Sequence, residues 1–307
     1  MKHSLTITLI LLGMFFLTQL VGLGVVASYA PVTEQVVKFN QDNTTTTANI
    51  TTYDLPYGME PPQNIEPKSS LVSIVIALFI AIVLMILLMR LNAETFLRLW
   101  FFIVVVIAIG ITLTAALPKF TAASIIALLV ALPLAYFKVF KRNMIVHNIT
   151  EVFIYPGIAA IFVPLVTVTT AIILLILISL YDMYAVWHTG FMQRMAHYQI
   201  KTLKIFSGFF IPYRSNKDKI QALKQAKRGK SVKVNVAILG GGDVVFPIII
   251  AGVVIQQLSV WHALIVSVGA TLALAALFYM SEKGKFYPAM PFISIGCFIA
   301  LGIAYLI

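Results

Sequence analysis

Two aspartates lie where aspartates are costly. Asp182 stands in "LLILISLYDMYAVW" and Asp243 in "LGGGDVVFPIII", stretches otherwise suited to hydrocarbon. The other nine of the eleven acidic residues, Glu34, Asp42, Asp54, Glu60, Glu66, Glu94, Glu151, Asp218 and Glu282, fall in loops or at the ends of apolar segments. A carboxylate at the centre of a membrane span costs about 2.5–3.5 kcal/mol on the insertion scale, so one retained there marks a candidate functional site. Two carboxyls brought together in a low dielectric cannot both ionise. Such a pair shares a proton, one group acting as acid and the other as base, and can activate a water.

The elements that would position them follow from composition. Of 307 residues, 60% are hydrophobic and only 11% charged, and the mean hydropathy is +0.97. Apolar runs reaching the roughly 20 residues that cross a bilayer core recur along the chain, which makes it a multi-spanning membrane protein. The runs are apolar on every face, so they are helices and not strands of a barrel with a polar lumen. Nine segments are expected, centred on 5–28, 71–90, 99–117, 121–140, 152–166, 168–187, 234–255, 260–280 and 288–307. The fold class is therefore an all-α polytopic membrane protein. Its parts are 1–187, holding six spans and an external loop at 30–69, then a basic loop at 188–233, then 234–307 with the last three spans. The first segment follows Lys2 and His3 like a signal peptide, but its apolar length favours a retained span; "VASYA" near residue 28 is where a cleavage would fall. The fifth is short, carries Pro156 and Pro164, and is expected to be kinked or tilted.

Orientation comes from the lysines and arginines, which cytoplasmic loops collect. With nine spans and a cytoplasmic N-terminus, the inside holds Arg90, Arg98, Lys138, Lys141, Arg142, Lys283 and Lys285. It also holds the 188–233 loop, which alone carries 11 of the 22 basic residues. The outside holds Lys38, Lys68 and Lys119 beside five acids. The C-terminus is then outside. This topology alone accounts for the net charge of +11, and no nucleic-acid partner is expected. The stretch "NTTTTANITTYDLPYGMEPPQNIEPKSS" is expected to be an irregular external loop, with Asn43 and Asn49 in Asn-x-Thr sequons. "RSNKDKIQALKQAKRGKS", charged and poor in large apolar residues, is expected to be mobile and easily nicked. The single cysteine, Cys297, excludes an intramolecular disulfide framework and a cysteine-based metal site.

The same topology makes the two aspartates neighbours. Asp182 lies about 8 Å from the inner end of the sixth segment and Asp243 about 13 Å from that of the seventh, at 1.5 Å per residue. Two acids on adjacent antiparallel helices at similar depth can meet. Gly240, Gly241 and Gly242 remove side chains before Asp243, which admits a close helix or an extended backbone, or serves plain packing of small residues. Pro247 can kink the same helix. His188 and His197, with no third ligand in a recognisable spacing, read as solvated loop histidines, and no metal or cofactor is expected.

Three short motifs, in order, carry a resemblance. Tyr181-Asp182 in one span, "GGGD" at 240–243 in the next and "PAMP" at 288–291 opening the last resemble the presenilin and signal peptide peptidase family of intramembrane aspartyl proteases. The signatures of that family are Tyr-Asp, Gly-x-Gly-Asp and Pro-Ala-Leu; Met290 takes the leucine position here. With its N-inside orientation the chain looks most like an archaeal presenilin homologue. The resemblance implies hydrolysis of transmembrane substrates in a prokaryotic cell membrane, with Asp182 and Asp243 catalytic and no accessory subunit needed. It also implies that Pro288, Ala289 and Met290 shape the wall beside them, while Tyr181 orients the pair or packs. The same two aspartates are open to a different reading, a channel or secondary transporter for protons or cations.

Overall fold

The fold comes from a computed structural model, which describes residues 5–39, 45–59, 61, 67–91, 93–141, 143–189, 207–213, 235–282 and 287–307. Along the chain run α1 (Leu5–Ser28), β1 (Val32–Phe39), β2 (Thr45–Thr52), α2 (Pro67–Arg90), α3 (Glu94–Ala116), α4 (Ala123–Tyr136), α5 (Met144–Phe162) and α6 (Val168–Tyr184). Then follow β3 (Gly208–Tyr213), β4 (Asn235–Gly240), α7 (Gly241–Gln257), α8 (Val260–Met280) and α9 (Met290–Leu306). Seven of the helices, all but α7 and α9, are long and apolar enough to cross a membrane once the π-helical or 3-10 turns that end α4, α5 and α6 are included.

Several boundaries have visible causes. Asn143 caps α5, its Oδ1 accepting from the N–H groups of Ile145 (2.9 Å) and Val146 (3.4 Å), which satisfies two of the donors a helix start leaves orphaned. That helix runs through Pro156 and stops in the 3-10 turn Val163–Leu165, where Pro164 stands. The fifth segment is therefore longer than the expected 152–166 and begins eight residues earlier, because its first two turns carry polar side chains that hydropathy reads as loop. Thr167 caps α6 by accepting from the Thr170 N–H at 3.3 Å.

Core packing centres on α7. Val244, Ile248, Ile250, Ala251 and Val254 are all fully buried, because α7 is packed by α1, α5, α6, α8 and α9. Helix α8 lies directly on α9, where Gly269 and Gly296 face each other so closely that a methyl on either would strike the other helix. Such contacts suit helices that associate by packing rather than by a hydrophobic driving force. At the other extreme none of the spanning window of α2 is buried.

Three stretches differ from the expectation. The 30–69 segment is not wholly irregular: β1 and β2 pair antiparallel from Val32↔Thr52 to Phe39↔Thr45, and α2 already starts at Pro67. Its threonines and valines are β-branched and suit strands even though few are bulky. Within the 188–233 loop, residues 208–213 form β3. The seventh segment is not one helix, since its first six described residues are β4, paired antiparallel with β3 from Gly208↔Gly240 to Tyr213↔Asn235. Residues 214–231, expected to be mobile, lie outside the described residues, as do His197 and Asn43.

Candidate active site

Two apolar helices, α7 and α9, are too short to count among the seven spanning ones. At 17 residues each, α7 and α9 span about 25 Å, short of the roughly 30 Å hydrocarbon core. Each is preceded by non-helical backbone, β4 before α7 and residues 287–289 before α9. Irregular backbone at membrane depth is tolerated only where protein or a cavity surrounds it. Both helix starts carry orphan N–H groups and the positive end of a helix dipole.

Asp182 meets the start of α9. It sits in the last turn of α6, only 6% exposed, and its Oδ2 accepts from the Met290 N–H at 3.1 Å, with the Ala289 N–H facing the same carboxyl. Three residues earlier on α6 the Ser179 hydroxyl meets that of Ser294 at 2.9 Å, which fixes α6 to α9 beside the carboxyl. Met290 is buried at 3% exposed, Pro288 is buried and Ala289 half-buried. The "PAMP" motif therefore lies against Asp182. Tyr181, next in sequence, is 45% exposed.

Asp243 meets the start of its own helix. It is the third residue of α7, and its carboxyl turns back to accept from the backbone of Gly240, the N-cap residue. This is the reciprocal half of a capping box, made by an aspartate. The Asp243 carboxyl thus stands at the start of α7, with the Asp182 charge acting on it. Its surroundings differ from the expected ones, since the residues up to Gly240 are strand β4 and α7 begins only at Gly241, two residues before Asp243.

The three glycines occupy unlike surroundings. A methyl on Gly241 would lie 2.7 Å from the Tyr155 hydroxyl and 2.8 Å from the Ser207 hydroxyl; one on Gly240 would lie 3.1 Å from Asp243 Oδ2. One on Gly242 would meet only the Phe246 ring, at 3.8 Å. Gly241 is therefore held by close approach, while Gly242 faces open space beside Asp243.

Several residues near the site escaped the sequence reading. Gln19, fully buried in α1, donates from Nε2 to the carbonyl of Val244 at 3.0 Å, next to Asp243. An amide within "FFLTQLVGL" was the available signal. Lys138 and Glu151, expected in a loop and at a span end, are instead a buried ion pair. His147 completes the group, its Nδ1 3.4 Å from Lys138 Nζ. An asparagine cap before Met144 and the i, i+4, i+8 spacing of His147, Glu151 and Tyr155 would have placed all three on one face of a helix. His188, in the turn after α6, stacks on Tyr184 at 5.4 Å. Among the described residues no three His, Cys, Asp or Glu are grouped as for a metal ion.

Comparisons with known proteins identify the family and the fold. A family profile described as "Signal-peptide peptidase, presenilin aspartyl protease" matches residues 48–307. Two solved structures of a presenilin family intramembrane aspartate protease, in C222 and P2 space groups, share the fold. The first has a TM-score of 0.57 at 19% identity, covering 97% of each chain. The second has a TM-score of 0.58 at 20% identity, covering 99% of this chain and 97% of the other. A search of curated protein sequences finds no match.

Proposed function

Because this chain belongs to the signal-peptide peptidase and presenilin aspartyl protease family, we propose that Asp182 and Asp243 are its catalytic pair and cut transmembrane segments of other proteins within the bilayer. It is an intramembrane aspartyl endopeptidase. What supports the assignment of residues is the placement of the two carboxyls, Asp182 on the Met290 N–H at the start of α9 and Asp243 on the Gly240 backbone at the start of α7.

The chemistry follows from that placement. One carboxylate draws a proton from a water, whose oxygen attacks the scissile carbonyl carbon, and the other carboxylic acid protonates the carbonyl oxygen. The resulting gem-diol collapses as a proton passes to the departing amine, leaving a new carboxylate and a new amino terminus. The Met290 and Gly240 N–H groups hold the two carboxyls in place before substrate arrives, so little reorganisation remains for the reaction. A substrate helix must unwind to offer an extended bond, and Gly242 leaves room for a backbone beside Asp243. Pro288, Ala289 and Met290 wall the opposite side.

In the reading we favour, α7 and α9 complete nine spans, the N-terminus is cytoplasmic, the C-terminus is outside, and the chain works in a prokaryotic membrane without accessory subunits. Purified protein in liposomes with a single transmembrane peptide tests the activity. New termini mapped by mass spectrometry inside the membrane segment are the expected result. Proton or cation flux dependent on the same aspartates, with the peptide intact, would replace the protease reading by a transporter.

A further inference from the structure

One polar group in the protein is buried, charged and not used by the chemistry above. Lys138, in the π-helical turn after α4, and Glu151, in α5, are an ion pair whose side chains are 1% and 0% exposed. His147 lies one turn before Glu151, its Nε2 3.4 Å from Glu151 Oε1. A buried pair of this kind adds little net stability compared with apolar residues of the same volume, because both charges must be desolvated. Its retention calls for another reason, and its contacts supply one.

The contacts converge on one strand. Glu151 Oε1 accepts from the Gly208 N–H at 3.3 Å, and His147 Nε2 donates to the Gly208 carbonyl at 2.8 Å. Both backbone groups of the first residue of β3 are thus held by α5. Asn148, beside His147, repeats the arrangement two residues on: its Nδ2 donates to the Phe210 carbonyl at 2.9 Å and its Oδ1 accepts from the Phe210 N–H at 3.0 Å. Lys138 reaches Glu151 and His147 Nδ1, which leaves the other imidazole nitrogen as the donor to Gly208. Gly208 has φ +145°, a conformation other residues rarely adopt.

The strand so held leads straight to the catalytic aspartate. Gly208 is the cross-strand partner of Gly240, and the backbone of Gly240 bonds the Asp243 carboxyl. One turn further along α5, Tyr155 sets its hydroxyl beside Glu151 and Ser207 and against Gly241. A single face of α5 therefore touches both the strand and the turn that set where Asp243 stands.

We propose that Glu151, His147 and Asn148, with Lys138 as the counter-charge, are positioning residues that clamp β3 to α5 and through Gly240 fix the Asp243 carboxyl for the reaction. The proposal rests on the catalytic role of Asp243. Without the clamp β3 loses the bonds from α5 at Gly208 and Phe210, and the Asp243 carboxyl is no longer fixed through Gly240.

Two double variants isolate the clamp from the ion pair. Lys138→Met/Glu151→Gln removes both charges but keeps an oxygen that accepts from Gly208; Lys138→Met/Glu151→Leu removes the charges and the acceptor. A displacement of about 1 Å at a reacting group costs on the order of 100-fold, so kcat of the Leu form should fall by about that factor with KM little changed. The Gln form should keep kcat close to that of the unmodified protein. Amides of 235–243 should exchange with deuterium faster in the Leu form only. Equal kcat in the two forms, high or low, overturns the clamp. Should the Leu form not fold, Asn148→Leu decides: a loss of kcat at constant KM supports the clamp, and unchanged kcat overturns it. Should the unmodified protein cleave no transmembrane peptide, the protease reading fails on its own, and deuterium exchange at 235–243 still decides whether α5 holds the strand.

Discussion

Adding a methyl group at Gly241 separates stability from catalysis. In Gly241→Ala the new carbon would stand 2.7 Å from the Tyr155 hydroxyl, 2.8 Å from the Tyr155 ring edge and 2.8 Å from the Ser207 hydroxyl. Ordinary contact needs about 3.5 Å, so the shortfall is about 0.7 Å. Tyr155 is 1% exposed and packs edge-on against the fully buried Phe209 at 5.8 Å between ring centroids. It has no space to retreat, and the start of α7 must give instead. Overpacking of this size costs about 1–3 kcal/mol, while alanine in place of glycine in a helix returns about 0.5–1 kcal/mol. The net loss of stability is thus at most about 2.5 kcal/mol, and the protein stays folded.

Activity responds differently. A shift of about 0.7 Å in the first turn of α7 carries Asp243 with it, and misplacement on this scale lowers kcat on the order of 100-fold. Gly242→Ala is the control, since its methyl meets only Phe246 at 3.8 Å. That variant should be as stable as the unmodified protein and keep the carboxyl pair in place, and any loss should appear in KM, where the methyl narrows the open side of the site. The assay is cleavage of a transmembrane peptide in liposomes over a range of substrate to lipid ratios, alongside thermal unfolding in detergent. Full kcat in Gly241→Ala would refute the inference that the turn at 240–242 sets the position of Asp243.

Two further outcomes follow from the buried pair and from the charge pattern. Lys138→Met alone leaves Glu151 buried without its counter-charge and should cost about 3–5 kcal/mol, most of which Lys138→Met/Glu151→Gln recovers; unfolding in detergent measures both, and a double variant no more stable than the single would contradict the pairing. In a background with Cys297 replaced by serine, Thr46→Cys should react with a membrane-impermeant thiol reagent from outside, and Gln225→Cys only from the cytoplasmic side. Labelling of both from one side would overturn the orientation.

The carboxyls were legible because their cost in hydrocarbon makes them conspicuous, and the helices because apolar runs of this length have no other stable form. The eighth segment coincides with α8, and the first with α1. Strand β4 was not legible: "NVAILG" is an apolar run continuous with α7, and periodicity over six residues does not separate a buried strand from a helix. Its partner "GFFIPY" lay hidden inside a segment dominated by lysines and arginines. The junction of strand and helix at Gly240 and Gly241 could not be recognised while β4 was read as helix. Lys138, His147 and Glu151 escaped for a related reason. Charged residues near a predicted boundary are assigned to water, and only the tertiary contacts with β3 reveal that these are enclosed. Hydropathy placed Asp182 and Asp243 at similar depth, but the two N–H groups that hold them come from helix starts that hydropathy does not mark.

The most direct measurement is cleavage of one transmembrane peptide by four forms of the purified protein: unmodified, Asp182→Asn, Asp243→Asn and the double variant. The substitutions keep size and some hydrogen bonding while removing acid and base function. Groups that act as one catalytic unit do not contribute separable increments, so each single variant should lose activity on the order of 10⁴-fold and the double should be scarcely worse. Sustained cleavage by the double variant, freed of contaminating proteases, or single losses that multiply as independent factors, would contradict the assignment of Asp182 and Asp243 as a catalytic pair.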